Sequence, residues 1–167
     1  MATTAKPNIH ESAYIAPGAV VSGDVTLAAD TSIWTNSVLH GDVNSITIGE
    51  RSSLQELCMV HVGWENPVVI GRDVTIGHCC IIHGCVIEDC VTVGMGSIIM
   101  DGAFIGHGSY IGAGSLVTGG TVIPPNSLVF GSPAKVKREV TEAEHKDTLA
   151  SVNHYVREAK EAKEAAK

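Results

Sequence analysis

VGMGSIIMDGAFIGHGSYIGAGSLVTGGTVIPPNSLV, residues 93–129, repeats every six residues. Val93, Ile99, Ile105, Ile111, Val117, Ile123 and Val129 open the units, and Ser97, Ala103, Ser109, Ser115, Thr121 and Ser127 follow four positions later. So short a period means stacked β-coils rather than a mixed globular fold. Side chains alternate along a strand, so the large opener and the small fifth residue both face inward. Gly, Asn and Asp fall between them, where the chain turns and positive φ is often needed. Three units make one triangular coil, and coils stack at roughly 4.8 Å.

The same frame extends upstream. Ile15, Val21, Leu27, Ile33 and Leu39 are openers; after a short interruption come Ile48, Leu54 and Val60; a longer one precedes Ile70, Ile76 and Ile82. A unit one residue short leads on to Ile87. Trp64 is the one large residue in a small slot, where the period is already broken. This predicts an all-β solenoid over residues 1–133 and a helical extension over 134–167. In the extension, Thr141 and Glu144 read as a capping box. Leu149, Val152 and Val156 keep helical spacing as an apolar stripe, and EAKEAKEAAK closes the helix.

The polar run Met1–His10 predicts no signal peptide, and no window is apolar enough to span a bilayer. Five cysteines without an export signal point to the cytoplasm. Cys58 and Cys80 occupy small inward slots and read as buried thiols; Cys79, Cys85 and Cys90 lack metal-site spacing. A net charge of −7 argues against nucleic acid as a partner. The basic cluster Lys135, Lys137 and Arg138 reads as a solvated linker.

Every third opener shares a face, which puts Leu39, Val60, Ile82 and Ile99 in one column. The residues after them, His40, His61, His83 and Met100, face outward. His61 and His83 therefore stand one strand spacing apart, close enough to converge on one zinc at roughly 2.0–2.1 Å. His78 follows Ile76 by two positions and lies near a corner of another face. It points away from the His61–His83 face of its own chain, so a second chain would have to bring it there. Threefold closure would then give three equal sites. Glu56 is expected one coil before His78 in the same column, and His107 one coil after it, as a bystander. Three neutral imidazoles leave an ion its full charge and an open position, where bound water ionises near pH 7. No cofactor motif is present, so hydration or simple hydrolysis is the natural reaction class.

GDVN, RSSLQE, HV, VTIGH and IIHGC together resemble the γ-class carbonic anhydrases, across nearly the whole solenoid. The resemblance implies a left-handed β-helix of hexapeptide repeats. It also implies a homotrimer with zinc between subunits (iron or cobalt as alternatives) and reversible hydration of CO2 to bicarbonate. His61 and His83 match the ligand pair of one chain and His78 the ligand from its neighbour. Gln55 matches the glutamine that positions the metal-bound hydroxide, and Asp42 the aspartate of an intersubunit ion pair. His40 stands where the family has arginine, and Ser53-Leu54-Gln55-Glu56 where it has Asn-x-Gln-Asp. An imidazole is shorter than a guanidinium and titrates, so a His40–Asp42 pair would depend on pH. Glu56 is one methylene longer than aspartate, which displaces any hydrogen bond it makes. Loop Val62–Val69 interrupts the repeat after His61 and is expected to overhang the metal. Trp64 would shield the pocket or plug the subunit seam, and Glu65 reads as a solvated carboxylate.

Two other functions compete. GAGSLVTGGTVIPPNSLVFGSPAKV resembles the last coils of hexapeptide acyltransferases, which hold acyl-CoA between subunits. A trimer that binds metal without turnover is the other, given His40 and Glu56.

Overall fold

The computed structural model describes residues 5–165, so the start of the polar run Met1–His10 and the last two residues of the helix-forming run lie outside them. Short parallel strands stack into a β-solenoid whose three inward columns follow the openers. Val21, Leu39, Val60, Ile82, Ile99 and Val117 align on the first face. Leu27, Ile48, Ile70, Ile87, Ile105 and Ile123 align on the second. Ile15, Ile33, Leu54, Ile76, Val93, Ile111 and Val129 align on the third. From Leu27 to Val117 these openers are fully buried and form one continuous core. Each contributes about 1.5–3 kcal/mol relative to an exposed side chain.

The small inward residues fasten the corners. Ser37 Oγ donates to the Gln55 carbonyl at 2.6 Å, and Ser52 Oγ to that of Gly71 at 2.7 Å. Cys58 and Cys80 use their thiols in the same way, on Gly77 and Gly94 at 3.1 and 3.2 Å. The buried-thiol reading of these two cysteines holds. Three positions after most openers the backbone turns left-handed, with glycine at many corners but Leu57 at φ 62° and Cys79 at φ 60°. A side chain in that conformation costs about 1–3 kcal/mol, and these two flank Glu56 and His78.

At the far end, Ala134–Glu139 runs antiparallel to Ser127–Gly131. Lys135, Lys137 and Arg138 thus lie on an exposed strand rather than a linker, and Arg138 Nη2 bonds Glu144 Oε1 at 2.7 Å. Helix α1 spans Glu142–Ala165 and opens on the expected box: the Thr141 amide donates to Glu144 Oε2 at 2.8 Å and the Glu144 amide to Thr141 Oγ1 at 3.2 Å. Its buried residues are Thr148, Val152 and Ala159, whereas Leu149 is 43 % exposed. The stripe is therefore rotated from the one expected, because Thr148 is held by Thr92 at 3.0 Å. Tyr155 stacks edge-on with Trp34 at 5.9 Å, and Lys160 pairs with Asp30 at 3.0 Å. The helix thereby roofs the third face of its own solenoid, and the first face is left open. Among the described residues no helix is long and apolar enough to cross a membrane.

Candidate metal centre

On the open face, His40, His61 and His83 occupy equivalent positions on three successive coils. Ring centroids are 5.5 Å apart for His40–His61 and 5.1 Å for His61–His83. His61 Nδ1 lies 3.0 Å from His83 Nε2. At the other side of each ring stands a carboxylate: Asp42 Oδ1 is 3.1 Å from His61 Nε2, and Asp101 Oδ1 is 2.9 Å from His83 Nδ1. The four side chains form one rail, Asp42–His61–His83–Asp101.

Proton counting gives the rail its chemistry. It has three gaps, and two neutral imidazoles supply only two N–H groups. With each ring donating to its carboxylate, both nitrogens of the central gap present lone pairs to each other. A cation relieves that repulsion. Two nitrogens on a tetrahedral zinc at 2.0–2.1 Å stand about 3.3–3.4 Å apart, so the central gap fits after opening by a few tenths of an ångström. Outer carboxylates that fix the tautomer are the usual support of a metal-bound imidazole.

Within the chain, Asp42 pairs with His61. Burial pushes the Asp42 carboxyl up, but its own amide, His61, the Val43 amide and His40 together hold it below its ordinary range. His40, Asp42 and His61 each offer a ligand atom, all within 4.8 Å of one another.

The remaining expected residues gather elsewhere. His78 lies at the corner after Ile76, and its Nδ1 is 2.7 Å from Glu56 Oε2 on the coil before. The His78 amide donates to Gln55 Oε1 at 3.0 Å, and Gln55 is buried. Gln55, Glu56 and His78 thus form a second unit around the corner, while His40, Asp42, His61 and His83 form the first. Above His78 comes Met95, since Ile76 aligns with Val93 and the Gly96 amide bonds the His78 carbonyl. His107 follows Ile105 on the second face, so the expected His78–His107 column does not exist. It lines a cleft of about 310 Å³ with Cys90, His145 and Leu149.

The loop after His61 is tied from below by Asn44, whose Nδ2 donates to the carbonyls of Gly63 and Trp64 at 3.3 Å. Gly63 and Gly84 both pack so close to Asp101 that a side chain on either would strike its carboxylate. Trp64 is 74 % exposed. Asp101 is the site residue missing from the sequence reading; its signal was its place two positions after Ile99, on the coil above His83. Behind His83, burial and then the Asp101 charge push the Cys85 thiol up to about 12, which keeps it protonated.

No family model matches the chain. A protein described as a probable carbonic anhydrase from Methanocaldococcus jannaschii is 54 % identical over 149 residues, covering 89 % of this chain and 94 % of that one. Gamma carbonic anhydrase 2, mitochondrial, of Arabidopsis thaliana is 38 % identical over 156 residues; the match covers 90 % of this chain but 56 % of the plant protein. A crystal structure described as a putative acetyltransferase from Bacillus cereus superposes with a TM-score of 0.95 at 46 % identity, over 96 % of this chain and 93 % of that one.

Proposed function

The chain belongs to the γ-class carbonic anhydrase family, and on that premise we propose that it interconverts CO2 and bicarbonate at a zinc ion shared between chains of a homotrimer, with iron or cobalt as alternatives. The observation that carries the reading is the central gap, where His61 Nδ1 faces His83 Nε2 at 3.0 Å and both outer nitrogens rest on carboxylates. When bound, such an ion supplies the Lewis acidity that brings the pKa of a coordinated water to about 7.

The chain's own residues divide the remaining work. His61 and His83 bind from one protomer and His78 from the next. Glu56 takes the Nδ1 side of His78, so Nε2 is the nitrogen offered to a neighbouring chain. Gln55 secures the same corner by its Oε1, and its amide NH2, which also donates to the Tyr155 hydroxyl, keeps a second hydrogen to orient a substrate oxygen. Asp42 and Asp101 hold the two tautomers.

Two exposed apolar features support the trimer. Beside the histidines, Val20, Val38, Met59, Ile81 and Ile98 stack in register; Val38 is half-buried, and the other four are 50, 36, 42 and 36 % exposed. At the corner of the second unit, Leu57 is 58 % exposed in a left-handed conformation. A neighbour covering that leucine offsets the cost of both. Five cysteines with no disulfide among them fit a reducing compartment such as the cytoplasm.

Stopped-flow CO2 hydration, read with metal content and sedimentation, separates the readings. The carbonic anhydrase reading expects one ion per chain in a trimer and a rate well above buffer. A metal-loaded trimer no faster than buffer with zinc, cobalt or iron(II) would be a metal-binding protein without turnover. A chain that takes no metal would favour the hexapeptide acyltransferase reading, in keeping with the description of the Bacillus cereus structure as a putative acetyltransferase.

A further inference from the structure

The rail has a second gap that a cation can fill. If His61 donates its Nδ1 proton to His83 Nε2, the 3.0 Å contact between them is an ordinary hydrogen bond. His61 Nε2 then turns a lone pair on Asp42 Oδ1 at 3.1 Å, two acceptors with no proton between them. The place left without a proton has moved from the His61–His83 gap to the Asp42–His61 gap. Among the described residues, only the second of these has a further ligand in the same chain: His40, whose ring nitrogen falls within 4.8 Å of the other two ligand atoms.

We propose that a single chain binds a divalent first-row metal ion through His40, Asp42 and His61, at a site that needs no second protomer. The widest separation in the set has to close by at most roughly 1.5 Å to reach metal-ligand spacing. His40 is half-buried, on the open face. Two imidazoles and one carboxylate suit zinc, cobalt(II) or iron(II), not calcium or magnesium, which take oxygen ligands.

This goes beyond the shared centre and competes with it. A neutral imidazole has one lone pair, so His61 serves the shared centre through Nδ1 or the single-chain site through Nε2, never both. An unassembled chain therefore holds an ion against His40 and Asp42. Arrival of the neighbour's His78 favours the His61–His83 gap instead.

Cobalt(II) titration, followed by visible absorption and by dialysis, tests the site. H83A removes a same-chain ligand of the shared centre and leaves His40, Asp42 and His61 whole. About one cobalt per chain should remain bound, and D42N or H40A added to H83A should weaken it roughly tenfold or more. Equal binding by H83A and H83A/D42N overturns the proposal, as does loss of cobalt from an H83A chain with native circular dichroism. If H83A does not fold, H78A serves as the background for the same comparison, because it removes the neighbour's ligand without touching the rail. The shared centre fails separately: cobalt bound at wild-type affinity in both H83A and H78A, and lost on adding D42N, would leave the single-chain site standing alone.

Discussion

Asp101 Oδ1 accepts a hydrogen bond from His83 Nδ1 at 2.9 Å, from the coil above the histidine it holds. The contact fixes Nε2 as the nitrogen turned toward His61. Asp101→Asn keeps an acceptor at that place but removes its charge. Zinc affinity, measured by competition with a chromophoric chelator, should fall roughly 10–100-fold. Gly84→Ala should act in the same direction without touching Asp101 itself, since its new methyl group would displace the carboxylate from a backbone already at φ +51°. Wild-type zinc affinity in both variants would remove Asp101 from the site.

How much of this was legible in the sequence follows from what a six-residue period can and cannot carry. It places His40, His61 and His83 in one column because the residue after an opener has a single outward direction. It also separates His78 and Glu56 from them, since Leu54 and Ile76 open another face. Corners carry less information. Asp101 looks like any turn aspartate until its coil is set beside His83, and His107 is misassigned because counting by threes from Ile76 reaches Val93, not Ile105. The contact of Asp42 with His61 depends on rotamers that no periodicity specifies. The helix stripe is rotated for a related reason: a hydroxyl pair, Thr92 with Thr148, docks a face that apolar spacing alone would not select.

Assembly should depend on Leu57. Leu57→Gly relieves the left-handed strain and removes an exposed apolar side chain at once. The isolated chain should lose little stability, while sedimentation velocity should show the trimer dissociating at higher protein concentration than wild type. Leu57→Asp should weaken it further by placing a charge in the seam. An unchanged association constant in both would mean that no neighbour covers this corner.

The start of α1 should be sensitive to acid. Arg138 holds the Glu144 carboxyl down to about 2, with the Thr141 amide and hydroxyl adding to the effect, against an ordinary value of 4.5. A folded-state pKa below the unfolded one stabilises above the unfolded value and is lost as pH falls through the folded one. The contribution should therefore be complete at neutral pH, decline below about 4.5 and vanish near 2. Amide exchange in the first turns of α1, compared between wild type and Glu144→Gln, reads it directly. The two should differ at pH 7 and converge toward pH 2, and a constant difference across that range would contradict the assignment.

Core and site can be separated by substituting two buried isoleucines. Ile82 and Ile105 are both fully buried openers, on different faces, and either change to alanine should cost about 2–5 kcal/mol in denaturant unfolding. Ile82 immediately precedes His83 and pairs with Val60, which immediately precedes His61. A cavity beneath that pair lets the two strands shift and loosens the 3.0 Å contact between the rings. Ile105 lies in the column of Ile87 and Ile123, which carries no ligand. Metal affinity should thus fall in Ile82→Ala and hold in Ile105→Ala at matched loss of stability. Equal metal affinity in the two variants would mean that the histidines take their spacing from the ion and not from the coils beneath them.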